Sequence, residues 1–237
     1  LIRYHLPMHK RILLLFLLVS FSYLMILFLM GGFSRLFESI GLNRGESLFI
    51  ATLILFLSLA LSGVNVPILE LERECFVPSE RFIVFFGIPY PIPEFKRERT
   101  VIAINLGGAL IPILVSIYLL PFMLKEIGIL PIILSLGFVS LVSFSVSRVI
   151  PGVGIVTPAL VPPMSSALIS SAFGEVAVPL AYFSGTMGTL IGADVMRLIS
   201  EWSKINSPLV SIGGAGTFDG IYLTGVISIA LVSFISP

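Results

Sequence analysis

Charge is scarce in this sequence. Of its 237 residues only 11% are Asp, Glu, Lys or Arg, less than half of the roughly 25% that wets an ordinary soluble domain, so a soluble enzyme is excluded. Basic excess is missing as well. Fourteen Lys and Arg against 13 Asp and Glu leave a net charge of +1, too little to displace counterions from a phosphate backbone, which excludes a nucleic-acid binder. The single cysteine, Cys75, excludes a disulfide framework and a cysteine zinc site. The two histidines, His5 and His9, stand at i, i+4 ahead of an apolar run and read as membrane-surface groups. No pattern calls for a metal or a cofactor. Aspartate occurs only twice, as Asp194 and Asp219.

What the sequence has is apolar length: 57% of residues are hydrophobic and the mean hydropathy is +1.09. The expected class is an all-α polytopic membrane protein of six or seven transmembrane helices, one of them broken or re-entrant, with the lipid bilayer as its constant partner. A spanning helix takes about 20 apolar residues, and the spacing predicts spans at Ile12–Met30, Ser47–Val64, Val101–Leu120, Gly128–Val146, Val176–Met196 and Thr217–Ile235. Arg3, Lys10 and Arg11 precede the first, which is too long for a cleavable signal core and lacks a small-x-small site, so it reads as a retained anchor. Gly31–Glu46 reads as a loop or short interfacial helix. Ile150–Phe173 is apolar but carries Pro151, Gly152, Gly154, Pro158, Pro162 and Pro163, so it is a broken span or a re-entrant loop. If it crosses, eleven of the fourteen Lys and Arg fall on the inner side. The positive-inside rule then favours seven crossings in the cell membrane, with the N-terminus cytoplasmic.

Residues Asn65–Thr100 concentrate eleven of the chain's charges and must lie in water. Ile68–Glu74 alternates apolar and charged residues, and Arg81–Phe86 is a β-rich run stopped by Gly87, Pro89, Pro91 and Pro93. The expectation is one integral-membrane domain, 1–237, with residues 66–100 inserted as an extramembrane, cytoplasmic β-hairpin.

Ionisable groups inside a span are costly and tend to serve a site. Asp194 ends one span in Gly188-Thr-Leu-Ile-Gly192-Ala193-Asp194, and Asp219 begins the next in Gly213-Gly214-Ala215-Gly216-Thr217-Phe218-Asp219-Gly220. Consecutive antiparallel spans bring those positions to similar depth. Two neighbouring carboxylates can hold one proton between them. The competing readings are an N-cap for Asp219 and an ion pair with Arg197 for Asp194. Glycines 185, 188, 192, 213, 214, 216, 220 and 225 permit close helix approach around the two aspartates. Asn105, beside Gly107-Gly108-Ala109, is a third polar candidate at about the same depth. Gly107-Gly-Ala and Gly213-Gly-Ala hint at duplicated halves. Arg148 and Glu175 read as interfacial, or as a pair if the segment between them re-enters.

Val101-Ile-Ala-Ile-Asn-Leu-Gly-Gly-Ala-Leu-Ile-Pro112, Gly192-Ala-Asp-Val and Ile212-Gly-Gly-Ala-Gly-Thr-Phe-Asp-Gly-Ile-Tyr-Leu-Thr-Gly225 resemble the hallmarks of a prokaryotic integral-membrane family, domain of unknown function 1614. The resemblance covers most of the chain from the hairpin onward and brings no activity with it. A weaker similarity is to the presenilin and prepilin-peptidase kind of intramembrane aspartyl protease. There Phe218-Asp219 resembles the aromatic-Asp motif, Gly192-Ala193-Asp194 part of the Gly-x-Gly-Asp motif, and Pro158-Ala159-Leu160 the Pro-Ala-Leu motif. Ala193 replaces a glycine of that pattern, and the three elements run in the opposite order.

Three functions compete on this reading. In an intramembrane aspartyl hydrolase, Asp194 and Asp219 would be catalytic, one activating water and the other polarising the carbonyl of a membrane peptide near Pro158–Leu160. In a transporter or channel, the same aspartates with Asn105 and the surrounding glycines would bind a proton or small ion. In a non-catalytic scaffold, the hairpin would recruit a partner. The hydrolase leads narrowly, because these are the chain's only aspartates.

Overall fold

The computed structural model describes residues 8–85, 88–150, 154–202 and 207–235. His5, Pro151, Gly152 and Lys204 lie outside the described residues. Helix α1 (Met8–Glu38) is a single 31-residue rod. The connection expected from Gly31 is therefore mostly helix, since a glycine alone does not end an apolar helix whose neighbours pack. Helix α2 (Arg44–Leu61) starts three residues earlier than hydropathy suggests, because Asn43 and Glu46 form a reciprocal capping box. The Glu46 amide donates to Asn43 Oδ1 at 2.9 Å and the Asn43 amide to Glu46 Oε2 at 3.2 Å.

Strands β1 (Asn65–Phe85) and β2 (Ile88–Asn105) pair antiparallel, from Asn65 opposite Asn105 to Phe85 opposite Ile88. The strand runs five residues past Thr100 into what hydropathy assigns to a span. Val101-Ile-Ala-Ile is both apolar and β-forming, and here it has a partner on each side. A π-helical turn, Leu106–Leu110, leads into α3 (Ile111–Ile127), followed by α4 (Ile129–Val146). Strands β3 (Arg148–Ile150) and β4 (Gly154–Val156) form a second small hairpin ahead of α5 (Val161–Ser170). A 3-10 link carries the chain to α6 (Ala177–Thr189), which continues through a π-helical segment, Leu190–Met196, into the one-turn α7 (Arg197–Ser200). Strand β5 (Leu209–Ile212) lies parallel to β2, giving a sheet ordered β1-β2-β5, and α8 (Gly220–Ile235) closes the chain.

The molecule is mostly helical, with a small sheet, and five stretches are long and apolar enough to cross a membrane. These are Leu13–Glu38, Arg44–Leu61, Leu106–Ile127, Ile129–Val146 and Val161–Ser200; Gly220–Ile235 is shorter but equally apolar. Helix α6 is the central one, and its side chains from Leu180 to Thr186 are all buried. Around it pack Phe33 and Leu36 of α1, Leu55 of α2, Met123 of α3, Ile132 of α4 and Tyr222, Val226 and Ile229 of α8. By contrast Leu13–Val19 of α1 are all exposed and apolar, as on a helix that meets hydrocarbon on every side.

The segment Val161–Ser200 is no single rod. Gly174 adopts φ 55° and ψ −124°, a conformation open to glycine, and the chain reverses there. Ser166 Oγ on α5 consequently donates to the Ala181 carbonyl on α6 at 2.7 Å and lies 2.9 Å from Ser184 Oγ. This reversal brings Phe173, Glu175 and Val176 to the same end as Ser39–Gly41 and Phe122–Ile127, around a shallow pocket of about 420 Å³. At the other end Arg197 reaches Ser147 just past α4. Glu175 therefore sits far from Arg148, and those two do not pair.

Candidate functional site

The sheet and the two π-helical turns meet at the end of the bundle away from that pocket. Val101 to Ile104 on β2 lie opposite Leu209 to Ile212 on β5, in parallel. Each strand then runs into a Gly-Gly-Ala, and the two tripeptides lie against each other. A Cβ on Gly108 would collide with the Gly213 carbonyl oxygen and come 2.6 Å from that of Gly216, and one on Gly213 would be 2.6 Å from Ala109 Cβ. Gly213 (φ 72°) and Gly216 (φ 64°) also hold left-handed backbone. The repeated tripeptide thus marks two loops that need backbone-to-backbone contact.

Asn105 fixes this junction. It is fully buried, its Nδ2 donates to the Ser62 carbonyl at 2.6 Å and to Asn65 Oδ1 at 3.0 Å, and its Oδ1 accepts the Gly108 amide at 2.7 Å. Asn65 Oδ1 also accepts from Ser211 Oγ at 2.6 Å. All three of Asn105's bonds go to protein, so it ties β1, β2, β5 and the end of α2 together.

Asp219 is the N-cap of α8. Its backbone is extended (φ −70°, ψ 150°), Oδ1 accepts the Ile221 amide at 3.0 Å and Oδ2 accepts the Ala215 amide at 3.3 Å, so both oxygens are engaged by backbone donors. Asp194 belongs to the π-helical segment Leu190–Met196, with the Gly213 amide beside its carboxylate and Asp219 within electrostatic reach. The loop between β5 and α8 therefore brings amides to both aspartates.

Arg197 does not pair with Asp194. Its Nη1 bonds Glu201 Oε1 at 2.7 Å, Nε donates to Ser147 Oγ at 3.2 Å, Nη2 donates to the Phe144 carbonyl, and the guanidinium lies 4.2 Å over the Phe144 ring. With its donors committed to Glu201 and the end of α4, it is turned away from the carboxylates. Gly192 permits that packing, since a Cβ there would collide with the Ser140 carbonyl oxygen. Of the other candidates, Gly214 and Phe218 on the β5–α8 loop and Gly220 at the start of α8 are exposed, as are Pro158, Ala159 and Leu160 on the approach to α5.

Sequence reasoning passed over a set of buried hydroxyls next to this site: Tyr182, Thr186 and Thr189 on α6, Tyr222 on α8 and Ser58 on α2. Their signal was the i, i+4, i+7 spacing of the first three. Among the described residues no group of three or more His, Cys, Asp or Glu could hold a metal.

A helical membrane-type bundle with a small sheet and a glycine-packed carboxylate end defines the class. The chain belongs to the family described as a protein of unknown function, DUF1614, which it matches over residues 59–231. No curated protein and no solved structure matches it.

Proposed function

We propose that this protein is a seven-crossing membrane protein that binds and passes a proton or small cation at Asp194 and Asp219. The observation that carries the reading is the division of labour between the carboxylates. Asp219 is anchored by two amide donors, from Ile221 and Ala215. Asp194 has the Gly213 amide beside it and, among the described residues, no cationic partner, since Arg197 bonds Glu201, Ser147 and Phe144. An anchored carboxylate beside a second one that faces no described cation is a binding arrangement for a proton or cation. Peptide hydrolysis needs both carboxylates free to exchange protons with water and substrate, and the cap bonds on Asp219 weigh against it.

The seven-crossing reading is supported by where the helix ends gather. Starting from α1, each apolar stretch reverses the last. The segment between Ser147 and Phe173 passes from one end to the other through a β-hairpin, an extended stretch and the ten-residue α5, which spans about 15 Å. That leaves β1, β2 and β5 at the carboxylate end, which the excess of Lys and Arg assigns to the cytoplasm.

Reconstitution into vesicles with an entrapped pH dye and an imposed potassium diffusion potential tests the function. Wild-type protein should carry potential-driven proton or cation flux, and Asp194→Asn should abolish it while preserving the fold. No flux, together with cleavage of a membrane peptide that requires both aspartates, would overturn this reading in favour of hydrolysis.

A further inference from the structure

Among the described residues ten buried hydroxyls make no hydrogen bond of good geometry, and five of them gather between α2, α6 and α8: Ser58, Tyr182, Thr186, Thr189 and Tyr222. None is more than 2% exposed. A buried hydroxyl without a partner costs roughly 1–3 kcal/mol, and natural proteins leave few of them. Five in one region therefore require a common explanation.

Their arrangement is directional. Tyr182, Thr186 and Thr189 follow one another at i, i+4 and i+7 along α6, so they share a face. The π-helical register of Leu190–Met196 then matters, because i→i+5 pairing lays Asp194 over Thr189, where an unbroken α-helix would swing it about a third of a turn away. Thr189 also reaches the start of α8, its methyl 3.8 Å from where a Gly220 Cβ would stand, next to Asp219. On α8, Tyr222 is one turn in from Asp219. The Tyr182 hydroxyl is within reach of Thr186 and the Tyr222 hydroxyl within reach of Ser58, each pair leaving further donor and acceptor capacity unused, and the two tyrosines are close enough to interact. Gly225 makes the room, since a Cβ there would collide with Thr186 Oγ1 and come 2.8 Å from the Tyr182 ring. Phe33 closes the far side, edge-on to both tyrosine rings with centroids 5.7 Å away.

We infer that Thr189, Thr186, Tyr182, Tyr222 and Ser58 line a hydrated route that carries protons between the Asp194–Asp219 site and the centre of the bundle. Hydroxyls donate and accept at once, so with water between them they form a continuous chain of hydrogen bonds. Buried water needs two to four polar partners, and this region supplies five. Phe33 ends the row as an apolar plug. The presence of water stands on the hydroxyls alone. Its use as a route rests on the proton-binding reading of the aspartates.

Two measurements separate these parts. X-ray radiolysis of the intact protein in lipid nanodiscs generates hydroxyl radicals from bound water, and mass spectrometry locates the oxygen added. Tyr182 and Tyr222 should be oxidised, while Met123, which is just as buried and belongs to an oxidation-prone residue type, should not. Unlabelled tyrosines at doses that oxidise the exposed Phe218 would overturn the hydrated core, whatever the flux assay gives. In proton-flux vesicles, the double variant Tyr182→Phe/Tyr222→Phe should lower the rate at least tenfold with the carboxylates intact. A rate within twofold of wild type would overturn the route while leaving the carboxylate reading standing. Absence of flux in wild type as well would overturn both the route and that reading.

Discussion

Replacing Gly108 by alanine adds one methyl group at the most crowded point of the molecule. The new Cβ would collide with the Gly213 carbonyl oxygen and approach the Gly216 carbonyl oxygen to 2.6 Å and the Gly216 Cα to 2.8 Å. All three are backbone atoms, so no side chain can rotate away and the β5–α8 loop itself has to move. Overpacking of this kind costs typically 1–3 kcal/mol. The shift also strains the Gly108 amide's 2.7 Å bond to Asn105, whose loss adds about 1 kcal/mol. A total of about 2–4 kcal/mol corresponds to a fall in Tm of roughly 4–16 °C for a chain of this length. The control is Gly137→Ala, inside α4, where a Cβ meets nothing within 4 Å. Alanine there should be neutral or stabilising by up to about 1 kcal/mol through helix propensity. Thermal unfolding in detergent, followed by the fluorescence of Trp202, measures both under one scan rate. If Gly108→Ala melts within about 1 °C of Gly137→Ala, a shift worth less than about 0.5 kcal/mol, the two loops are not packed backbone to backbone and the described junction is wrong.

Asp219→Ala removes the N-cap of α8 and should cost about 1 kcal/mol, whereas Asp219→Asn keeps an accepting side-chain oxygen and should stay within a few tenths; equal melting of the two variants would remove the capping role. In a Cys75→Ser background, a cysteine at Glu94 should react only with reagent on the cytoplasmic side and one at Lys125 only from outside. Labelling of both from one side would refute the seven-crossing path.

The helices were legible because their signal is sheer apolar length, which survives any packing arrangement. The hairpin was legible at Ile68–Glu74, where alternation in period two is unambiguous. Val101–Asn105 was misassigned because an apolar β-branched run reads alike as the start of a span or as a strand, and only its pairing with Leu209–Ile212 decides. Those four residues are too short to signal a strand by themselves, so the parallel ladder was invisible from either side. The π-helical register was equally hidden, since it arises from how α6 packs on α4 and α8 and not from any residue's preference. Asn105 reads in the sequence as a polar candidate for the site, whereas in the structure its bonds go to the Ser62 carbonyl, Asn65 and the Gly108 amide. The nearness expected of the aspartates comes from chain geometry alone, while the diversion of Arg197 to Phe144 and Ser147 depends on contacts some fifty residues away in sequence.

The β2–β5 ladder has a consequence for biosynthesis. Thr100 and Ser207, bonded at its edge, stand 107 positions apart, and α3 through α7 are made in the interval. The hairpin leaves the ribosome early and must wait, one edge of β2 unpaired, until nearly every helix has been inserted. Only then can β5 dock and the carboxylate end close. Such distant pairing is slow to form, so this junction closes late in assembly. A chain with one mis-threaded helix would leave β2 with an unpaired strand edge.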